Sequence, residues 1–319
     1  MPLGGLAPAK VQGSDSWDIA LSGSFLFWNV MQENMGIASM QTAATPPSAI
    51  TAYQKTEFHP GFTASITTSL GTDHWMGKGK YTRLHTRTDS STAPPPGGSM
   101  VVNPGFTSPG AVNQTASFVI SSFQLDLDQI DLCLMRPSYF SSRLIFTPFV
   151  GPKFGFIDQK LRTEVTLVGS TEELPTQFTT DTWFIGPRFG FSLDWLIGYG
   201  FSSTSSFGAS LIYQSQRVRG DLYDTTDVTD NSLDLLQYYR FFKPNWQMSL
   251  GAAWNSKTLG DAVCIKLFAS YEIEYFSGQN VAKAAALENF FTNTQTDNIS
   301  ILLGDLVFHG LKTGLQFDF

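Results

Sequence analysis

The chain has little charge: only 15% of its 319 residues are Asp, Glu, Lys or Arg, against roughly 25% in soluble domains. It also lacks any apolar run near the roughly 20 residues that a membrane helix needs, so helical spanning is excluded. Cysteine is scarce. Cys133 and Cys264 are too few and too far apart for a disulfide framework or a zinc site, which leaves one bridge at most. A net charge of −7 and the want of any Lys/Arg cluster exclude a nucleic-acid partner. The four histidines, His59, His74, His85 and His309, fall near strand ends or turns, and none joins a Ser or Asp constellation for hydrolysis. Catalysis is not expected. Asp126, Asp128 and Asp131 lack a glycine-centred calcium loop, so they are read as paired rim carboxylates, with neither a metal site nor a cofactor.

What the chain does contain is 14% aromatic residues and 28 glycines, at a mean hydropathy of −0.05. Low charge without a hydrophobic run is what interleaved apolar and polar positions produce, and period-two alternation marks strands. Trp17, Ile19, Leu21, Phe25 and Phe27 oppose Asp18, Ala20, Ser22 and Ser24. Phe62, Ala64, Ile66 and Leu70 oppose Thr63, Ser65, Thr67 and Ser69, and a less regular strand runs from Trp75 to about Arg87. From about Phe123 to Tyr139 the apolar parity slips between Leu125, Leu127 and Ile130, Leu132, Leu134, which predicts a β-bulge near Asp128-Gln129. Further strands are expected over Leu144 to about Val165, Trp183 to Trp195, Phe207 to Tyr213, Trp246 to Trp254, Val263 to Tyr275, and Leu311 to Phe319. Phe149-Val150-Gly151-Pro152-Lys153-Phe154-Gly155-Phe156 recurs as Phe184-Ile185-Gly186-Pro187-Arg188-Phe189-Gly190-Phe191, which puts Lys153 and Arg188 on the same polar side of neighbouring strands.

Connections alternate between long, near residues 31, 88, 169, 218 and 277, and short, near 71, 141, 197 and 256. A soluble sandwich has no reason to segregate its loops so strictly. The expected fold is an all-β, antiparallel transmembrane β-barrel of about ten strands, with 12 or more as the alternative, long loops outside and short turns in the periplasm. Residues 1–16, polar and rich in Gly and Pro, read as a flexible segment of a mature chain without a signal peptide, and residues 17–319 as one barrel domain. A short helix is expected over residues 281 to 291.

The last nine residues, with Lys312, Gly314, Phe317 and Phe319, resemble the C-terminal strand by which outer-membrane barrels are recognised for assembly. Leu127-Asp128-Gln129-Ile130-Asp131-Leu132, Arg136, Leu144 to Gln159, Ile185-Gly186-Pro187-Arg188, Tyr271 to Phe276 with Gln279-Asn280, and Gly304-Asp305-Leu306 with Gly310-Leu311 carry a wider likeness. In these the chain resembles the Legionella-type major outer membrane protein family and, more distantly, the porins of chlamydia-related bacteria. Chlamydial porins are cysteine-rich and cross-linked; two cysteines here depart from that pattern. The resemblance implies an outer-membrane porin passing small hydrophilic solutes and ions, embedded in outer-membrane lipid and inserted by the barrel-assembly machinery. Parity nominates Asp18, Lys153, Arg188, Asp194, Lys266, Glu272, Glu274 and Lys312 as facing the lumen. Ten strands enclose little more than eight-stranded barrels that side chains fill, so conduction is expected to be weak or gated. The other reading is a structural barrel or an adhesin contacting host surfaces through its outer loops. Whether copies associate is left open.

Overall fold

A computed structural model of the chain describes residues 19–43, 48–71, 75–103, 114–170, 173–223, 232–258, 263–281 and 303–319. These form strands β1 (Ile19–Gln32), β2 (Gly36–Gln41), β3 (Ala49–Tyr53), β4 (Phe58–Ser69), β5 (Met76–Thr92), β6 (Ser99–Val102) and β7 (Ala116–Met135). They continue as β8 (Ser138–Ser141), β9 (Leu144–Leu167), β10 (Glu173–Gly198), β11 (Phe201–Tyr223), β12 (Ser232–Thr258), β13 (Val263–Asn280) and β14 (Gly304–Asp318). Ten of them pair antiparallel in the order β10-β11-β12-β13-β14-β1-β4-β5-β7-β9, and a β9–β10 ladder closes the ring. The ten strands are those the alternation predicts.

The closure can be followed residue by residue. Directly paired positions lead from Trp183 through Phe156, Asp128, Arg83, Phe62, Phe25, Thr313, Ala269, Ala252 and Ser203 back to β10 at Trp195. That stagger along β10 is the shear that tilts the strands of a closed barrel. The ladder between β1 and β14, with Phe25 opposite Thr313 and Leu21 opposite Phe317, joins the two ends of the described chain.

Alternation sorts side chains by medium, and the sorting reverses partway up the barrel. In the half nearer the short turns, apolar residues face out: Leu21, Phe25, Ile66, Leu134, Val150, Ile185, Leu250 and Ile273 are all exposed to the lipid side. Their strand neighbours inside are Ser22, Ser24, Ser65, Lys153 and Glu272. Higher up the phase inverts: Leu125, Leu127, Ile157, Leu161, Val165, Leu174 and Phe178 are buried inside, while Asp126, Asp158, Lys160, Arg162, Asp181 and Arg219 occupy the outer face. At 24, 26, 23 and 27 residues, β9 to β12 are more than twice as long as the roughly 9–11 residues that cross a bilayer. They leave the lipid, and the outer wall then meets water while the inner wall meets a core.

Part of that core is the small sheet β3-β2-β6. Met35, Ile37, Ala38, Met100 and Val102 pack in one apolar cluster with the inward-facing Leu26, Trp28, Leu84 and Leu125. The sheet thereby fills the outer half of the barrel.

Several expectations change. The segments after residues 31 and 88, read as loops, contain β2, β3 and β6, whose short length hides any period. The loop expected over residues 169 to 180 begins β10 at Glu173; its outer face carries Gln177, Thr179 and Asp181 because it lies beyond the lipid. No bulge stands at Asp128-Gln129. Register is unbroken from Met76↔Met135 to Thr92↔Val119, and the apolar residues change face because Leu127 lies in the upper core and Ile130 against lipid. The helix expected at residues 281–291 falls, from 282 onward, outside the described residues.

Candidate functional site in the lumen

The repeated Gly-Pro-cation motif builds the centre of the barrel. β9 and β10 run antiparallel with Pro152 opposite Pro187, so Gly151 faces Arg188 and Gly186 faces Lys153. The glycine beside the Arg188 guanidinium is Gly208 of β11, where an added Cβ would stand 3.1 Å from Nη2; the motif's own glycines allow a close approach to the next strands. Proline lacks an N–H, and each ladder on the far side is interrupted at that place, β7–β9 after Asp131↔Lys153 and β10–β11 after Ile185↔Tyr213. A Cβ on Gly151 would stand 1.9 Å from the Leu132 carbonyl oxygen, and one on Gly186 2.1 Å from that of Leu211.

Both cations are drawn into one ionic belt. Asp131, 1% exposed, takes Lys80 and Arg188 on one carboxylate oxygen at 2.8 Å each, and Gln129 Nε2 donates to the same oxygen at 3.2 Å. Lys153, with no exposed surface, pairs with Glu274 of β13, to which Asn245 Nδ2 donates at 3.5 Å. Arg188 also donates to Gln247 and lies over the Phe149 ring, 5.1 Å from its centroid. Lys312 bonds Glu272 at 3.1 Å. In the ring order four steps separate β9 from β13, so the Lys153–Glu274 pair spans the lumen rather than a ladder.

An aromatic layer sits on this belt. Phe184 meets Phe276 at 5.4 Å between centroids, Phe276 meets Phe308 at 5.9 Å, and Phe308 meets Trp28 at 6.0 Å, a chain of rings from β10 to β1. Lys153 Nζ lies 5.2 Å from the centre of the Phe276 ring, which couples the two layers. Below the belt the wall carries many small hydroxylated residues beside the inward Asp194 and Lys266: Ser22 and Ser65 are 2.7 Å apart, as are Ser206 and Ser249. From the short-turn end the interior therefore passes from a hydroxyl lining to fixed charges, then rings, then an aliphatic core.

Of the residues nominated from parity, Lys153, Arg188, Glu272 and Glu274 are buried in the lumen and Lys312 is half-buried there. Asp194 and Lys266 also take inward positions, nearer the short turns and outside the belt. Asp18 lies outside the described residues. Sequence reasoning missed Lys80, whose strand is less regular, and misplaced Asp131. Asp126 and Asp128 are on the outer wall, pairing with His85 and with Arg83 and Tyr81, whereas Asp131 differs from them in parity and points inward. The three do not form one rim cluster. The signal was present in Gln129 and Asp131, which alternate with Ile130 and Leu132. Among the described residues no group of His, Cys, Asp and Glu is arranged to hold a metal. His59 faces inward and bonds Thr88, His309 meets Tyr271 at 2.7 Å, and His74 is outside the described residues.

Of the eight, Lys312 also belongs with Gly314, Phe317 and Phe319 to the expected assembly strand. There Phe317 is exposed to the lipid side, and the Phe319 N–H donates to the Ile19 carbonyl at 3.0 Å.

A family described as the Legionella pneumophila major outer membrane protein precursor matches residues 12–319. No curated protein matches the chain. Among solved structures the outer membrane protease OmpT of Escherichia coli is similar at 10% identity and a TM-score of 0.52, over 95% of this chain and 97% of its own. The Pseudomonas putida toluene transporter TodX aligns at 9% identity over 96% and 90%, with a TM-score of 0.30. The first likeness speaks to the fold alone.

Proposed function

The chain belongs to the Legionella major outer membrane protein family, and we propose that this outer-membrane barrel is a porin-like pore for small hydrophilic solutes and ions, shut at rest by its own lumenal charges. The observation that carries this reading is the Lys153–Glu274 pair, which bridges non-neighbouring strands across the interior. Buried ion pairs are poor stabilisers, since well-packed apolar residues of similar volume are often as good or better. A barrel built only to stand would fill its middle as it fills its outer half. Fixed charges between a hydroxyl lining and a ring layer instead suit a constriction that hydrated ions can enter when the pair parts.

The apolar filling by β2, β3 and β6 favours a second reading, a structural or adhesive barrel with little conductance. Single-channel recording in planar bilayers separates them. The pore reading expects small, infrequent ohmic steps whose ion preference shifts towards cations on Lys266→Glu; a folded protein silent at high load, with that variant equally silent, selects the structural barrel. Assembly through Lys312, Gly314, Phe317 and Phe319 belongs to the same proposal.

A further inference from the structure

One inward position above Asn245 on β12, a cation has no acid to meet. Lys243 shares the inner face with Phe241 and Asn245, and its Nζ lies 5.3 Å from the centre of the Phe241 ring. Among the described residues no carboxylate pairs with it; Glu274, the inward acid on β13, belongs to Lys153. The Lys243 stem packs on Gly278, where an added Cβ would stand 3.1 Å from Cε and 3.5 Å from Nζ.

Three amides with no exposed surface stand beside it, Gln214, Gln216 and Gln279. Gln214 Oε1 accepts from Gln279 Nε2 at 2.7 Å and from Gln216 Nε2 at 3.2 Å, which fixes the orientation of the Gln214 amide. Its Nε2 is the end left over, and it has no partner. Gln214 lies opposite Phe241 and Lys243 opposite Ile212, so the two are diagonal neighbours across the β11–β12 ladder, roughly 7–8 Å apart. Gln216 Nε2 also reaches the Gly278 carbonyl at 3.4 Å, which ties the amides to the glycine beneath Lys243. The other orphan of the group, Gln216 Oε1, has the unpartnered Thr182 hydroxyl opposite it on β10.

A half-buried ammonium without a counter-ion is costly, and so is a buried amide N–H without an acceptor. One small anion between them answers both, since its charge meets Lys243 and its lone pairs take the Gln214 N–H. A water would satisfy the amide and leave the charge. The full burial of Gln214 admits an ion that carries no bulky substituent. We infer that Lys243 and Gln214 hold a monovalent anion of about halide size, enclosed between β11, β12 and β13. Such a site needs no conduction, so it goes beyond the pore reading and stands or falls separately.

The test is the chlorine NMR linewidth of sodium chloride solutions holding the full chain in detergent micelles, with protein-free micelles as the baseline and folding checked by the gel-mobility shift on heating. Wild type is expected to broaden the line, and added bromide, competing for the site, to return it to the baseline. Lys243→Met and Gln214→Leu, which remove the charge and the donor at similar volume, are each expected to cut the excess width several-fold, while Lys243→Arg keeps most of it. Lys160→Met, on the outer wall, should leave the excess unchanged. A wild-type line at the baseline, or the full excess in folded Lys243→Met or Gln214→Leu, overturns the site. An equal loss in Lys160→Met assigns the broadening to surface charge and overturns it as well. Should Lys243→Met fail to fold, Gln214→Leu against Lys243→Arg decides.

Discussion

Lys153 on β9 and Glu274 on β13 hold one another across the barrel, each with 1% or less of its side chain exposed. Because neither is a ladder neighbour of the other, their pairing ties together opposite walls that backbone hydrogen bonds reach only the long way round.

Breaking that pair from one side leaves a charge buried without its counter-ion. Glu274→Leu alone should destabilise by about 3–5 kcal/mol, whereas Lys153→Met with Glu274→Leu should come within about 1 kcal/mol of wild type or exceed it. Urea unfolding in detergent, followed by the heat-dependent gel shift, measures both; equal losses in single and double variants would refute the ion pair.

The Gly-Pro-cation repeat predicts a sharp contrast among glycines. Gly151→Ala and Gly186→Ala must push a Cβ into a neighbouring backbone carbonyl, while Gly23, facing lipid, has nothing within 4 Å. Overpacking of this kind costs about 1–3 kcal/mol or more, so the first two should fold poorly and Gly23→Ala should refold with wild-type yield. Similar yields for all three would contradict the close approach.

The reversal of alternation places the edge of the lipid between Trp183 and Asp181 on β10. An arginine at the bilayer midplane should cost about 2–4 kcal/mol and one near or beyond the edge about 0–1. Phe189→Arg, midway between Trp183 and Trp195, and Thr179→Arg, both outward on the same strand, are therefore expected to differ by roughly 2 kcal/mol in unfolding free energy. Equal effects would move the boundary.

Three carboxylates stand abreast on the outer wall, Asp126 opposite Asp158 and Asp158 opposite Asp181. Asp126 is hydrogen-bonded to His85, and Asp181 is paired with Arg219. Like charges directly opposite on a sheet are destabilising by a few tenths to about 1 kcal/mol. Asp158→Asn should accordingly raise the unfolding midpoint at low salt, with the gain shrinking as salt screens it; a lowered midpoint would show that Asp158 has an attractive partner.

The membrane half of the fold was legible because lipid imposes one rule on every strand, as in Ile265, Leu267, Tyr271 and Ile273 against Lys266, Ser270, Glu272 and Glu274. The outer half was not, since Leu125 and Leu127 obey the same period in the opposite phase and look like a register slip. Parity also recovered the lumenal charges one strand at a time. It could not show that Lys153 meets Glu274, because partners across a lumen depend on ring order and shear, which no single strand encodes. The Gly-Pro-cation repeat was visible as a recurrence, but the close approach of Gly151 and Gly186 to the carbonyls of Leu132 and Leu211 follows only from the assembled ladders.

The belt's role as a gate is tested most directly by the single-channel conductance of Lys153→Gln/Glu274→Gln beside wild type, both verified as folded. The account predicts larger and more frequent openings once the cross-lumen pair is neutral, at unchanged stability rank among the variants above. Unchanged silence in the neutral variant, or wild-type openings just as large, would contradict it.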